Sequence, residues 1–394
     1  MEALADLFTQ ALQLCEKAGL VKLGDVAIDG TKIKANTGVP SDRSSSLGWN
    51  TGVPSDRSSS LGWNTGVPSD RSSSLGWKAS KHKAMSYGRM GETEQRLKAE
   101  IDALFKQAEA VDAAEDAEYG KGKRGDELPA ELARRESRLK KIAQAKAERE
   151  QEAREKAEQE RVKAEAKLAE RRDEERRTGK KKRGRAPQVP DPHKSAPEAK
   201  AQYSFTDPES RIMPDGANKG SFVQGYNAQA AVDATAQVIV AAEVTRETTD
   251  THQLLPRLGQ VEKNLGRKPQ RASAAAGYWS EVNATAESVV GIDLHIATGR
   301  EKHGETIATA SPPPPAEATA KEAMRHKLRS GAGRSIYKMR KAIVEPVFAQ
   351  IKEQRGFRRF SLRGLANVRR EWKLVCMAAN LRKLFASGWT PQAA

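Results

Sequence analysis

Two acidic residues stand where a carboxylate could meet a metal ion or a phosphate. Asp29 ends the short apolar run Val26-Ala27-Ile28 and is followed by Gly30 and Thr31. An Asp at a strand end has two readings: a turn or cap residue, or a metal ligand at the mouth of a sheet. Glu345 lies between Arg340 and Lys352, in a stretch where Ile336, Ile343, Val347 and Ile351 recur at helical spacing as the expected buried side. Lys341, Glu345, Phe348 and Lys352 recur on another side. Pro346 has no backbone donor and restricts the residue before it, so a kink or restart of the helix is expected there. Glu345 flanked by Lys341 and Lys352 is either part of a surface ion network or a metal ligand beside two phosphate-binding lysines. Magnesium takes hard oxygen ligands, and phosphates take cations.

The other reactive residue types offer less. The six histidines, His82, His193, His252, His295, His303 and His326, have neither HxxH nor HExxH spacing, which argues against zinc. No GxxxxGK[ST] run is present, which argues against P-loop nucleotide chemistry. Cys15 and Cys376 are too far apart in sequence for a CxxC site or a disulfide framework, so a reducing cytoplasm is the simplest setting. No apolar run reaches the ~18 residues of a membrane span, and the acidic N-terminus does not read as a signal peptide.

Charge is concentrated at one end. The 394 residues carry a formal charge of +16, and 321–394 alone holds 18 basic and 4 acidic residues, or +14. That is far beyond what solubility requires and is the footprint of a polyanion, usually nucleic acid. Within it Arg355, Arg358, Arg359, Arg363, Arg369 and Arg370 surround Phe357, Phe360 and Leu362. A second basic run, Lys180 to Arg185, contains Lys182 and Arg183-Gly184-Arg185. It is either a solvated linker or a minor-groove hook, in which a thin Gly centre admits two arginines.

The elements that must position these residues can be read from periodicity. A helix is expected over 2–17, closed by Gly19, then a strand over 26–30. Helical periodicity returns over 92–113. From Glu131 to Thr178, 29 of 48 residues are charged, which predicts a solvent-projecting helix, paired near its base through Leu132, Leu139 and Ile142. Strands are expected over 222–232, 237–245, 270–276 and 292–296, with helices over 252–265 and 280–290. Two or three basic helices close the chain over 320–387. Three near-identical 14-residue units fill 37–78. They are too rich in Gly, Pro and Ser to bury a continuous face and read as disordered.

Several runs together resemble bacterial insertion-sequence transposases of the DDE, RNase H-like superfamily. They are Val21-Lys22-Leu23-Gly24, Asp29-Gly30-Thr31-Lys32-Ile33-Lys34-Ala35-Asn36, Lys83-Ala84-Met85-Ser86-Tyr87-Gly88-Arg89-Met90 and Thr206-Asp207-Pro208-Glu209-Ser210-Arg211, then Tyr226-Asn227-Ala228-Gln229, Gly277-Tyr278-Trp279-Ser280-Glu281 and Ile343-Val344-Glu345-Pro346-Val347-Phe348. The resemblance spans nearly the whole chain outside 37–78, in the branch with a long charged helical insertion after the first Asp. It implies an α/β fold, a mixed RNase H-like sheet with flanking helices. In intact relatives two Asp and one Glu hold two Mg2+ or Mn2+ ions that drive cleavage and joining of DNA strands.

Carried over residue by residue, Asp29 matches the first carboxylate and Glu345 the third, with Tyr337, Arg340 and Lys352 around it. The second belongs in an Ala-Asp-Ala-Gly-Tyr run, and Ala275 stands in its place. Glu281 and Asp293 are the nearby acids that could substitute. Tyr337, Arg340, Lys341, Lys352, Arg355, Arg358 and Arg359, with Lys182, Arg183 and Arg185, are expected to meet double-stranded DNA.

The resemblance divides the chain into a remnant N-terminal helical region (1–20), the first core strand (21–36), the repeats (37–78) and the charged insertion (79–185). A linker (186–205), the rest of the core (206–310), a Pro-rich linker (311–320) and the basic helices (321–394) follow. It further implies a homodimer on DNA, a cytoplasmic, nucleoid-associated location and an N-terminally shortened copy. Such a copy would be catalytically impaired by Ala275, the alternative being a non-catalytic DNA-binding protein.

Overall fold

The computed structural model describes residues 2–37, 84–119, 130–181, 184–215, 221–299 and 318–390. Its elements run α1 (Glu2–Lys17), β1 (Asp25–Lys34), β2 (Ala84–Ser86), α2 (Tyr87–Tyr119), α3 (Ala130–Thr178), β3 (Gln202–Ser204) and β4 (Arg211–Pro214). Then come β5 (Phe222–Asp233), β6 (Ile239–Thr245), α4 (Leu254–Leu265), β7 (Arg271–Ala274), α5 (Glu281–Thr285), β8 (Asp293–Ile296), α6 (Ala320–Arg329), α7 (Gly331–Ala349) and α8 (Leu365–Ala386). The chain forms two compact units, one from 1–78 with 206–394 and one from 79–205. Except for Thr37, the repeats lie outside the described residues, as does most of the Pro-rich segment.

The first unit is built on a mixed sheet ordered β4-β5-β1-β7-β8, with β6 on β5 as well. β1 is antiparallel to β5 and parallel to β7, and β7 is parallel to β8. β4 and β6 lie end to end along the other edge of β5. Central strands are buried on both faces and read as near-continuous apolar runs. Val26, Ala27 and Ile28 of β1 and Ala230, Ala231 and Val232 of β5 are almost fully buried. A mixed sheet flanked by helices is consistent with an RNase H-like fold. β1 is longer than its apolar run because Thr31–Lys34 continue the ladder with β5.

The second unit contains β2 paired with β3 and the helices α2 and α3. Glu100 pairs with Arg135 at 3.1 Å and Glu94 with Lys146 at 2.7 Å, so the helices run antiparallel. Met85, Met90, Leu97, Ile142, Ala145 and Tyr203 form its small core. α3 has 49 residues, about 73 Å at ~1.5 Å per residue. Past its base it relies on local pairs such as Arg161–Glu165 and Arg171–Glu175 and on Ala157 and Ala164 as buried contacts. Among the described residues no helix is long and apolar enough to cross a membrane.

Two expectations change in the first unit. The helix expected over 280–290 is only Glu281–Thr285 followed by a 3-10 turn. Ala286 is extended, and the Asn283 side chain is turned to the carbonyls of Thr251 and Tyr278. Pro346 does not break α7, which runs unbroken to Ala349 before a π turn over Gln350–Gln354. The proline frees the carbonyl of Ala342, four residues earlier. Gln237 Nε2, from the turn between β5 and β6, donates to that carbonyl at 2.9 Å.

α8 packs beside α1 and on β6. Trp372 is fully buried, stacks with Phe348 and donates its Nε1–H to Gln229 O at 3.1 Å. Lys383 lies near its end, with its ammonium donating to the Gln237 carbonyl. Burial, reinforced by Arg355, brings its pKa from 10.5 down to about 8. Between these values the unfolded chain holds a proton that the folded chain has released, so stability rises with pH across that window. The native protein should therefore close on Lys383→Met, which does not titrate there, as pH rises from about 7.5 to about 10. The change is at most about 1.4 kcal/mol per pH unit. Urea unfolding of both proteins at several pH values measures the gap, and a pH-independent gap would refute the assignment.

Candidate active site

β1 leaves its two partners at different points. Pairing with β7 runs from Asp25↔Arg271 to Ile28↔Ala274 and stops, whereas pairing with β5 continues to Lys34. Asp29 and Ala275 are thus the next positions beyond the last parallel pair. They stand level just past the last parallel pair, where β7 ends and β1 runs on against β5 alone. Ala275 is extended and leads into the turn Ala276–Tyr278.

Strand residues alternate between faces. Asp29 faces α7, where Arg340 Nη1 donates to its Oδ2 at 2.9 Å. The Gly30 N–H donates to its Oδ1 at 2.9 Å. Gly30 and Lys32, with their cross-strand partners Gln229 and Asn227, share the opposite face. There Asp250, four residues ahead of α4, accepts from Asn227 Nδ2 at 2.7 Å and Gln229 Nε2 at 2.8 Å. Lys32 Nζ lies 3.7 Å from it. Tyr278 donates to Gln229 Oε1, and Thr251 Oγ1 donates to Gly277 O at 3.0 Å. This clamp ties β1 and β5 to the turn that follows Ala275. It closes only over a glycine: a Cβ at Gly30 would overlap Gln229 Nε2 and lie 3.0 Å from Asp250 Oδ1.

Burial sets the electrostatics. It raises the Asp29 pKa, opposed by Arg340 and the Gly30 N–H and reinforced by the charge of Asp250. It lowers that of Lys32, opposed chiefly by Asp250. The Tyr278 phenol is pushed well above its ordinary value, again by burial first. These residues keep their charges or protons through mutual contacts, as half-buried polar groups must.

The structure brings Asp29 and Arg340 together. Glu345 is exposed on α7. Five residues separate it from Arg340, about 140° around the helix at 3.6 residues per turn. Arg340 itself is buried, with its guanidinium 5.8 Å from the Tyr337 ring centre. Lys341, Arg358 and Arg359 are exposed; Tyr337, Lys352 and Arg355 are half-buried. Burial lowers the pKa of both Lys352 and Arg355. In the second unit Arg185 is exposed, while Lys182 and Arg183 lie outside the described residues. Asp293 pairs with Lys327 beside α6, and Glu281 sits at the exposed start of α5.

Sequence reasoning missed Asp250. Its signal was indirect: Asn227 and Gln229 are two buried amides on one face of a strand, and such groups require polar partners.

The donor set at Asp29 does not fit a pair of divalent ions. Position 275 offers a methyl group, and both Asp29 oxygens already accept hydrogen bonds. Asp250 faces the other side of the sheet. Among the described residues no group of three or more His, Cys, Asp or Glu could hold a metal.

The clamp has a direct test in stability. Gly30→Ala should cost about 1–3 kcal/mol by overpacking. Gly24→Ala, with nothing within 4 Å of the added carbon, should stay within about 0.5 kcal/mol of the parent. Chemical denaturation of the two variants compares them, and equal midpoints would show that the clamp tolerates a side chain.

Comparison with known proteins adds one finding. No curated protein and no solved structure matches the chain. Residues 300–385 match the family described as a transposase DDE domain. The matched stretch holds α6, α7 and most of α8, including Tyr337, Arg340 and Glu345; Asp29 and Ala275 fall outside it. Domains of this kind generally use divalent metals. The match supports a DDE transposase family for this chain.

Proposed function

We propose that this protein is a DDE-type transposase that binds the double-stranded ends of its element and whose strand cleavage and transfer are impaired by Ala275. The observation that carries this is the register at the sheet's mouth: Ala275 stands level with Asp29, where the resemblance places a second carboxylate. The register of β7 on β1 up to Ala274 supports reading the change at position 275 as a substitution and not as a misplaced strand. The location is the cytoplasm, on the nucleoid, and the working form a homodimer on paired DNA ends. The boundaries read from the sequence belong to the same proposal, with 79–185 as an insertion into the core.

DNA contact falls to the basic C-terminal helices. Lys341, Arg358 and Arg359 are exposed, and Tyr337, Lys352 and Arg355 border them in sequence. Arg340 is excluded from this group because its charge faces Asp29. In the second unit Arg185, with Lys182 and Arg183, supplies a further basic run. Phosphate contacts position a duplex without specifying its sequence, and each displaces a counterion. The alternative, a non-catalytic DNA-binding protein descended from a transposase, is favoured by the Asp29–Arg340 pair.

Fluorescence anisotropy with duplex DNA over a salt series should show steep weakening of binding. Lys341→Ala and Arg359→Ala should each flatten the slope of log K against log salt by about 1. The parent should not nick supercoiled DNA with Mn2+. Ala275→Asp should nick it, and Asp29→Ala should abolish that gain while leaving duplex binding intact. Nicking by the parent would overturn the impairment. Failure of Ala275→Asp to nick, with binding intact, would leave the binding protein as the correct reading. Salt-insensitive or absent DNA binding would overturn both.

A further inference from the structure

We propose that Arg340 is a built-in counter-ion that holds Asp29 in place of a metal, so that this end of the sheet is complete without a divalent ion. The inference starts from the mismatch between the donor set and a metal pair, and it concerns the ion pair, not DNA. Each carboxylate near the strand end has its own cation on its own face. Asp29 has Arg340 at 2.9 Å, and Asp250 has Lys32 at 3.7 Å. The four charges sum to zero. The remaining groups in the network, Asn227, Gln229 and Tyr278, are neutral.

Adding a divalent ion to Asp29 would leave an uncompensated positive charge in a largely buried place, which is costly. Arg340 cannot swing out easily. It is 6% exposed and its Cα lies in the middle of α7. Packing and the Asp29 carboxylate hold Arg340 in place. Glu345 lies exposed five residues along the same helix. A carboxylate at position 275 would change the balance on this face by one negative charge, which is why the ion pair and the Ala275 side chain belong together.

The test reads metal binding and stability on the full chain, without DNA. Titration with Mn2+, followed by electron paramagnetic resonance of the free ion, should show no site at Asp29 in the parent. Its melting temperature should be the same in EDTA and in Mn2+. Arg340→Gln leaves the half-buried Asp29 without its cation. It should melt several degrees lower in EDTA and recover part of the loss in Mn2+. It should gain a Mn2+ site through Asp29, at least about tenfold tighter than any weak surface binding by the parent, the scale on which neighbouring groups tune metal sites. The double variant Arg340→Gln, Asp29→Asn should lose that gain. Arg340→Lys keeps the charge and serves as the folding control; it should exclude Mn2+ as the parent does. Mn2+ binding by the parent that Asp29→Asn abolishes would overturn the proposal. So would an Arg340→Gln variant that folds and shows no gain in Mn2+ affinity. Should Arg340→Gln fail to fold, Arg340→Lys decides: Mn2+ binding through Asp29 in that variant refutes charge as the excluding factor. Loss of DNA binding or nicking in other variants leaves these readouts unaffected.

Discussion

β1 is hydrogen-bonded along both edges, and the unequal length of its two ladders shapes the functional end of the sheet. On the β5 side the pairing runs its full length; on the β7 side it stops at Ile28. Farther along the released edge Lys34 bonds the backbone of Arg358 and Phe360, and the Ala275–Tyr278 turn is tied back through Thr251, Asn283 and Gln229. The apolar run Val26–Ile28 anchors the strand in the core. The polar residues that follow are then carried to the mouth of the sheet with a defined face each.

That division of faces explains why two nearby aspartates do different things. Asp29 meets a helix and is neutralised by a buried arginine. Asp250 meets Lys32 and two strand amides, and with Thr251 acts as a joint between β1, β5 and the β7 turn. Both carboxylates are satisfied locally, so the low-dielectric surroundings strengthen the contacts without leaving an orphaned charge.

Much of this was legible in the sequence because it rests on periodicity. α1, α3, β5 and β6 were recognisable from apolar spacing or charge density, and Asp29 from its place after Val26-Ala27-Ile28. What escaped depends on contacts between distant residues. Asp250 sits in a polar loop with nothing local to mark it, and its partners are 21 and 23 residues away. Arg340 was grouped with exposed basic residues because charge counts do not say which face of a helix is buried; its partner is 311 residues away. The helix expected over 280–290 failed for a similar reason, since Asn283 is held by carbonyls outside it. Pro346 gave a sound local signal for a break, and a side chain from another element overrode it.

The Gln237 contact has a mechanical consequence. Its side chain fills the acceptor left open by Pro346, and its own carbonyl receives Lys383. One turn residue thus works like a key in a keyway, engaging α7 with its amide and α8 with its backbone. If α7 rotated by a single residue, about 100°, the Ala342 carbonyl would leave Gln237 and no donor within the helix could replace it. The angular setting of Glu345 and Arg340 is therefore indexed from a hairpin turn outside α7.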